Sequence, residues 1–419
     1  MAETTISESK SPKIFNVLVI VAALGYFVDI YDLVLFGIVR KASLIGIGIT
    51  DETLQTTIGA ALLNWQMGGM LIGGIIWGVL GDKKGRISVL FGSILMYSVA
   101  NIANGFVADV HFMDPVKLYA LLRFIAGVGL AGELGAGITL VSETLKSEHR
   151  GYGTMLVATI GISGAVVANL VAGVFDWKVS YFVGGGMGLA LLILRIGAYE
   201  SGMFKNIKTS SVSKGNFLSL FSNWQKAKKY LSIILIAVPV WYVVGILMIF
   251  SPELGKVMGL KNISAGDAIM YSYIGITLGD LASGLLSQLI KSRIRAIRIF
   301  LIMTVIFTVC YFLFSFSSLF MFYTIAGLVG FATGYWAVFI TMASEQFGTN
   351  IRATVTTTAP NFVRGSVVLL TSGFQLFNML TGNLILSAVI VGIITFVISF
   401  IALASLEETF NKDLDYIEE

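Results

Sequence analysis

The sequence has little charge and almost no cysteine. Only 12% of its 419 residues are Asp, Glu, Lys or Arg, against roughly 25% in an ordinary soluble domain. Apolar residues make up 56% of the chain, and its mean hydropathy is +0.87. This composition excludes a soluble enzyme, a disordered scaffold and a nucleic-acid-binding module, which needs a dense basic face. The single cysteine, Cys310, excludes an intramolecular disulfide framework. The chain is therefore predicted to be a polytopic protein of the lipid bilayer.

Motifs of catalysis and of nucleotide binding are missing as well. The sequence has no Ser/His/Asp set, no metal-ligand cluster and no phosphate-binding P-loop. Its polar N-terminus lacks the basic segment and the cleavage site of a secretory signal, so we expect the first span to stay as an anchor. We therefore expect no enzyme activity, no cofactor, no metal and no ATP-driven pump.

Long apolar runs divide the chain into helices that could cross a membrane. A crossing helix needs about 20 mostly apolar residues. A polar stretch with six lysines separates two sets of six such segments, which predicts an N-terminal half (1–199), a linker loop (200–229) and a C-terminal half (230–419). The twelve predicted spans are approximately 14–39, 55–81, 87–109, 117–142, 152–175, 179–198, 230–254, 266–290, 297–316, 319–343, 353–376 and 381–405.

The distribution of Lys and Arg predicts the orientation. With both termini on one side, twenty of the 28 Lys and Arg residues fall on that side and six on the other, while Arg123 and Arg364 lie inside spans. Basic residues favour the cytoplasmic side. We therefore expect cytoplasmic termini, in a bacterial inner (plasma) membrane.

The two halves repeat three short patterns in register. Residues 125–127 recur as 325–327, and 78–86 have a diverged counterpart in 284–293. The Ser-Glu pair at Glu143, followed by Arg150, recurs at Glu345 and Arg352. Parallel six-helix repeats are one architecture of secondary transporters, which place the substrate site at the midplane between the halves.

At these motifs the chain resembles the Major Facilitator Superfamily. Segment 78–86 is similar to its signature between spans 2 and 3, and span 4 from Arg123 to Glu133 is similar to its metabolite:proton symporter and sugar porter branches. Lys83, Ile87 and Gly202 depart from these patterns. The resemblance implies an all-α fold of twelve helices in two pseudo-symmetric six-helix bundles, working as a monomer by alternating access.

Six ionisable residues lie at membrane depth, where charge is costly and marks substrate or proton paths. They are Asp29, Asp32, Arg123, Glu133, Asp280 and Arg364. Asp32 resembles the span 1 acid that proton-coupled sugar porters pair with an arginine of span 4, here Arg123. The proton affinity of a buried carboxylate depends on the distance to a cation, so a change in that distance couples proton binding to conformation. Asp29 is the alternative carrier, and a static ion pair remains open. Glu133 is a candidate for a coupling or substrate role, with a hydrogen bond across the helix interface as the alternative.

Arg364 is the candidate anchor for an anionic substrate, because a guanidinium binds carboxylates bidentately and keeps its charge. Asp280 either pairs with Arg364 or receives a cationic end of the substrate. The remaining predicted cavity residues are polar or aromatic: Asn361, Asn64, Gln66, Tyr242, Tyr335 and Trp336.

A charge cluster is predicted at the cytoplasmic helix ends. Its members are Asp82, Arg86, Glu143, Arg150, Glu345 and Arg352. The resemblance implies that this network closes the cytoplasmic side in the outward-facing state, whereas solvated topology charges are the alternative.

The sequence thus predicts a secondary transporter for a small molecule, with protons as the coupling ion. Arg364 favours symport of an organic anion, and four buried acids against two buried arginines favour a zwitterion or an exported cation. A proton-coupled antiporter of drugs or cationic compounds and a sugar facilitator remain open. A receptor that binds without transport would be expected to carry an added soluble domain.

Overall fold

The structure is a computed structural model that describes residues 17–84, 86–135, 137, 147–200, 217–314 and 317–410. Within these residues all regular elements are helical. A 3₁₀ turn (Phe217–Phe221) precedes the helix Trp224–Tyr242, and a turn of π-helix (Val243–Met248) follows it. The α-helices are α1 (Val17–Gly46), α2 (Glu52–Lys84), α3 (Arg86–Gly105), α4 (Pro115–Leu130), α5 (Ser147–Ile162), α6 (Gly164–Val174), α7 (Trp177–Glu200), α8 (Trp224–Tyr242), α9 (Ser251–Val257), α10 (Ala265–Leu289), α11 (Arg293–Phe314), α12 (Leu319–Thr333), α13 (Trp336–Glu345), α14 (Thr349–Gly365), α15 (Val367–Thr381) and α16 (Leu384–Ala404).

Eleven helical stretches in the described residues are long and apolar enough to cross a membrane. Each coincides with one of the twelve predicted spans. The remaining prediction, 353–376, falls on α14 and α15, which separate at Ser366. Polar residues and Pro360 in α14 keep this span below the hydropathy of the others. The all-helical membrane fold is confirmed, and the helix count agrees approximately.

Short polar residues determine where several spans begin. The side chains of Ser264, Ser318 and Asn383 accept hydrogen bonds from the first backbone N–H groups of α10, α12 and α16. These groups have no partner inside their helix, so the caps stabilise each start by about 1 kcal/mol. Leu and Ile side chains are exposed on the outer faces, as on α11 at Ile302 and Ile306, where lipid would cover them.

The same helix crossing occurs twice. A Cβ atom on Gly73 of α2 would collide with the carbonyl of Val128, and one on Gly279 of α10 would collide with the carbonyl of Phe331. Glycine is needed at both positions because the two backbones touch there. The helix pairs α2–α4 and α10–α12 are therefore close copies, offset by 206 and 203 residues, in line with the sequence repeat.

The first seven helices meet the later ones along one interface. On one side lie α1, α2, α5 and α6, and on the other α10, α13, α14 and α15. We call the end of the bundle at which α1 ends and α2 begins the α1–α2 end. The opposite end, at which α2 ends and α3 begins, is the α2–α3 end.

Candidate functional site

The six ionisable residues predicted at membrane depth are all buried. Their exposed fraction is 6% or less, and four of them lie on helices at the interface just described. A buried charge is costly unless it is paired or neutralised. The partners of each therefore show what the site can do.

Arg364 and Asp29 form an ion pair across this interface. The Arg364 Nη2 donates to Asp29 Oδ2 at 3.1 Å, joining the end of α14 to the middle of α1. The Nε and Nη1 of Arg364 and the Oδ1 of Asp29 have no hydrogen-bond partner in the described residues. Tyr26 and Tyr273 lie near the guanidinium. The pair thus leaves donors of a buried guanidinium free for another acceptor.

Arg123 of α4 is held by an amide and two rings. It donates through Nη2 to Oε1 of Gln66 and lies over the rings of Phe36 and Tyr181, 5.1 and 5.6 Å from their centroids. Such contacts stabilise a cation without neutralising it. Arg123 therefore keeps a positive charge that can act on an acid nearby.

Asp32 lies close to Arg123 and to the amide of Asn101. Neither of its carboxylate oxygens has a hydrogen-bond partner by geometry in the described residues. Space for the carboxylate depends on Gly184 of α7, where a Cβ atom would collide with Oδ1. Asp32 is thus a buried acid whose charge depends on one arginine.

Glu133 forms a second buried ion pair, with Arg195 of α7. The two guanidinium nitrogens Nη1 and Nη2 lie 2.8 and 2.9 Å from Oε1 and Oε2, and Ser93 adds a hydrogen bond to Oε1. Gly25 of α1 faces this pair, and a Cβ atom there would collide with Arg195. Bidentate geometry of this kind is the strongest that a carboxylate and an arginine make.

Asp280 lies at the break between α12 and α13. Its Oδ1 accepts the N–H of Ala337 at 2.8 Å, in the first turn of α13. Its Oδ2 has no partner in the described residues, and the same holds for Nε1 of Trp336 beside it. The pairing of Asp280 with Arg364, one alternative from the sequence, is not formed, because Arg364 is engaged by Asp29.

Most of the other residues predicted to bind the substrate form hydrogen bonds within the protein. The hydroxyls of Tyr242 and Tyr335 donate hydrogen bonds to the carbonyls of Ala388 and Ile236, so these two side chains stabilise the helix packing. Three further side chains bridge helices: Gln66 bonds Arg123, Asn64 accepts from Thr371, and Asn361 donates to the carbonyl of Ala131.

Among the side chains of the predicted gate, only that of Glu345 lies within the described residues. Glu143 and the side chains of Asp82, Arg86, Arg150 and Arg352 lie outside the described residues. Glu345 is described, at the α2–α3 end. Its carboxylate binds Arg293 at 3.2 Å and accepts from Thr409 at 2.7 Å. These contacts therefore hold α13, α11 and the segment at Thr409 together at the α2–α3 end.

The α1–α2 end carries ion pairs that connect α1 and α2 to α9. Arg40 Nη2 lies 2.6 Å from Oε1 of Glu253, with its guanidinium over the ring of Phe250. Glu52 and Lys256 form an exposed pair beside it. Next to these contacts is a cleft of about 350 Å³, lined by Val39, Asn169, Trp177 and Asp267 among others.

Sequence reasoning missed Arg195 and Arg40 as buried charges. The distribution of Lys and Arg places both outside the spans, yet they are 3% and 1% exposed. Arg195 falls within the predicted span 179–198, a signal that could have revealed it. Arg40 directly follows the predicted end of the first span, but α1 continues to Gly46.

The family follows from a comparison with known proteins. The family model of the Major Facilitator Superfamily matches residues 22–371. The chain belongs to the Major Facilitator Superfamily. It is an integral membrane transporter of small molecules, not an enzyme.

Similar proteins carry metabolites. A Haemophilus influenzae protein named as a metabolite transporter is 27% identical over 65% of this chain and 67% of its own length. A Bacillus subtilis protein named as a niacin/nicotinamide transporter is 26% identical over 82% of this chain and 84% of its own. The sialic acid transporter NanX of Escherichia coli is 28% identical over 48% of this chain and 47% of its own.

Solved structures agree on the fold. The crystal structure of a D-xylose-proton symporter superposes with a TM-score of 0.69 at 16% identity, covering 93% of this chain and 98% of the other. The inward-open xylose transporter XylE from Escherichia coli gives a TM-score of 0.69 at 13% identity, covering 96% and 98%.

Proposed function

We propose that this chain is a proton-coupled symporter of a small organic anion or zwitterion. The observation that carries the proposal is the buried pair of Arg364 and Asp29, in which the guanidinium retains unpartnered donors. A substrate carboxylate is the acceptor that fits such donors, because guanidinium and carboxylate match in geometry and charge.

Competition between Asp29 and the substrate carboxylate for Arg364 couples proton binding to substrate binding. With Asp29 ionised, the guanidinium is neutralised by the protein. A proton on Asp29 removes that charge and leaves Arg364 with an uncompensated cation, which the substrate carboxylate then neutralises. Proton and anion thus favour each other's binding, and the buried charge of the site is the same before and after both bind.

Asp32 and Arg123 form the second element of the coupling. The two residues belong to α1 and α4, and Asp32 has no other cationic neighbour among the groups acting on it. A movement of α1 against α4 changes their distance and hence the proton affinity of Asp32. Asp29 and Asp32 are therefore both proton carriers in this proposal, whereas Glu133, neutralised by Arg195, is a static support.

The similar proteins support an anion. Niacin and sialic acid, named for two of them, each carry a carboxyl group. The D-xylose-proton symporter supports the use of protons on this fold. Following the charge distribution, we place both termini in the cytoplasm of a bacterial cell and the α1–α2 end outside, with residues 1–199 and 230–419 as the two moving halves and 200–229 as the loop between them.

Proton antiport of a cationic compound is the second candidate, because Asp280 is a buried carboxylate without an arginine or lysine partner in the described residues. A substrate amine would neutralise it. A sugar facilitator fits less well, since neutral sugars do not require a buried cation such as Arg364.

The test uses purified protein in liposomes that contain a pH-sensitive dye. Small carboxylates, amino acids, betaines, sugars and organic amines are added outside, one class at a time. Acidification of the lumen with carboxylates or zwitterions is expected, and Arg364→Gln is expected to abolish it. Alkalinisation with amines would instead establish antiport, and tracer exchange without any pH change would establish a facilitator.

A further inference from the structure

Asp280 differs from the other buried acids of the site in having no cation beside it among the residues that the structure describes. Asp29 is paired with Arg364, Glu133 with Arg195, and Asp32 lies near Arg123. Asp280 is 6% exposed, and in the described residues its carboxylate accepts one hydrogen bond, from the backbone N–H of Ala337, with the N–H of Trp336 close by. A carboxylate buried in this way is neutralised by a proton or by a bound cationic group.

Within the described residues, the helices around Asp280 offer no permanent cation. The segments α6, α12 and Val243–Met248, which pack against α10, contain no Lys or Arg. The helix α5 packs against α10 as well, and the side chains of its His149 and Arg150 lie outside the described residues. The charged residues of α9, α11 and α13 lie at the two ends of the bundle, where Glu253 pairs with Arg40 and Arg293 pairs with Glu345. The Arg and Lys residues of α1 are at its far end.

One titratable side chain from α1 faces Asp280. The Tyr26 hydroxyl is within electrostatic reach of Asp280 and also of Asp29 and Arg364. Tyr273, two turns earlier on α10, is within reach of the same Arg364 and of Tyr26. Two phenols that lie near the ion pair of Arg364 and Asp29 are therefore close to each other, and one of them, Tyr26, is also within electrostatic reach of Asp280.

Helix packing does not require an acid at this position. By the offset that relates the two crossings, Asp280 in the second half corresponds to Gly74 in the first half. The crossing at Gly74 is built without a carboxylate, so the acid at 280 adds something that the repeated architecture does not need.

From the lone carboxylate, its free oxygen and its place at the interface, we propose that Asp280 binds a further transported proton, in addition to those on Asp29 and Asp32. This inference rests on the proposed proton symport and deepens it. The proton resides on Oδ2, while Oδ1 continues to accept the N–H of Ala337 at the start of α13. The proton enters from the side of higher proton concentration with the substrate and leaves to the opposite side when the interface opens there. No covalent bond other than O–H forms or breaks.

The first test measures how many protons accompany each substrate molecule. Wild-type protein and Asp280→Asn are compared in liposomes, at zero membrane potential, by finding the pH gradient at which a fixed substrate gradient produces no net flux. The asparagine keeps an acceptor for the Ala337 N–H, so the helix start is retained. We expect one proton fewer per substrate in Asp280→Asn than in the wild type. An unchanged ratio in the variant would overturn the proposal.

The second test does not depend on transport. The infrared carbonyl band of a protonated carboxylic acid is recorded for purified wild type, Asp280→Asn and Asp267→Asn, which removes another acid of α10. A pH-dependent band that is lost only in Asp280→Asn is expected. If this band is present but transport is not coupled to protons, the proposed symport is overturned and the proton site on Asp280 is retained. Absence of the band, or a variant that impairs only substrates with an amino group, would assign Asp280 to substrate binding instead.

Discussion

Asp29 and Asp32 lie three residues apart on α1 and face different arginines. Asp29 pairs with Arg364 of α14 at 3.1 Å, across the interface between the early and the late helices, whereas Asp32 lies near Arg123 of α4. One helix thus presents two carboxylates to partners that need not move together. A displacement between the halves strains the first contact, and a rotation of α1 within its half alters the second.

The pair of Arg364 and Asp29 makes a prediction about stability and transport together. Arg364→Gln leaves Asp29 buried without a cation, which costs about 3–5 kcal/mol of unfolding free energy. We expect a lower unfolding midpoint in detergent and no substrate-dependent proton uptake in liposomes.

A double variant separates the two effects. Asp29→Asn combined with Arg364→Gln removes both charges, so most of the stability is expected to return, while transport stays absent because the substrate has lost its anchor. Restored transport in the double variant would show that Arg364 is only a structural partner of Asp29.

The next prediction concerns Asp32 and the coupling of its proton binding to the conformational cycle. Asp32→Asn mimics the protonated acid, so the conformational cycle no longer depends on proton binding at this position. We expect accumulation against a gradient to be lost, while exchange of labelled for unlabelled substrate survives. Both are measured with the same liposomes, and accumulation at the wild-type level would exclude Asp32 as a carrier.

The sequence predicted the burial of charge better than its pairing. Asp29, Asp32, Arg123, Glu133, Asp280 and Arg364 stand in apolar runs, so their depth follows from the pattern alone. The partner of Arg364 is 335 residues away, and nothing in the local pattern distinguishes Asp29 from Asp280. Arg195 was mistaken for a residue outside the membrane because a charge near the end of a span looks the same whether it reaches water or turns inward. Its bidentate contact with Glu133 depends on the packing of α7 against α3.

From the ion pair of Arg195 with Glu133 we predict different losses of unfolding free energy for alanine and for lysine at position 195. Arg195→Lys retains the charge but loses the second hydrogen bond to Glu133, and Arg195→Ala leaves Glu133 unpaired. We expect alanine to reduce the unfolding free energy by about 3–5 kcal/mol and lysine to have an intermediate effect. Thermal unfolding in detergent measures both. Equal losses for the two variants would mean that the bidentate geometry, not the charge, is what Glu133 needs.

Glu408 predicts a pH dependence outside the membrane. Burial raises the pKa of its carboxyl, but hydrogen bonds from the Ser292 hydroxyl and from the backbone N–H of Arg293 outweigh it and lower the pKa below its ordinary value. A lowered pKa adds stability above the unfolded value, about 4.3, and this stability is lost as the pH falls through the folded value. Glu408→Gln should therefore lower the unfolding free energy at neutral pH, by no more than about 0.5 kcal/mol because solvent screens this exposed carboxylate, and match the wild type in acid. A difference that persists at low pH would refute this cause.

Arg40 and Glu253 predict how the α1–α2 end opens. Their pair is buried, at 1% and 11% exposure, and must be broken if α1 is to separate from α9. Glu253→Gln weakens it, so the open state should become more populated, by about tenfold if ~1.4 kcal/mol is lost.

In a Cys310→Ser background, Val39→Cys reports on opening, because Val39 lines the cleft at 4% exposure. Its labelling by a water-soluble maleimide is expected to accelerate in Glu253→Gln. Glu52→Gln is the matched control, since its pair with Lys256 is exposed and contributes little. Equal labelling rates in the two variants would show that the buried pair does not hold this end closed.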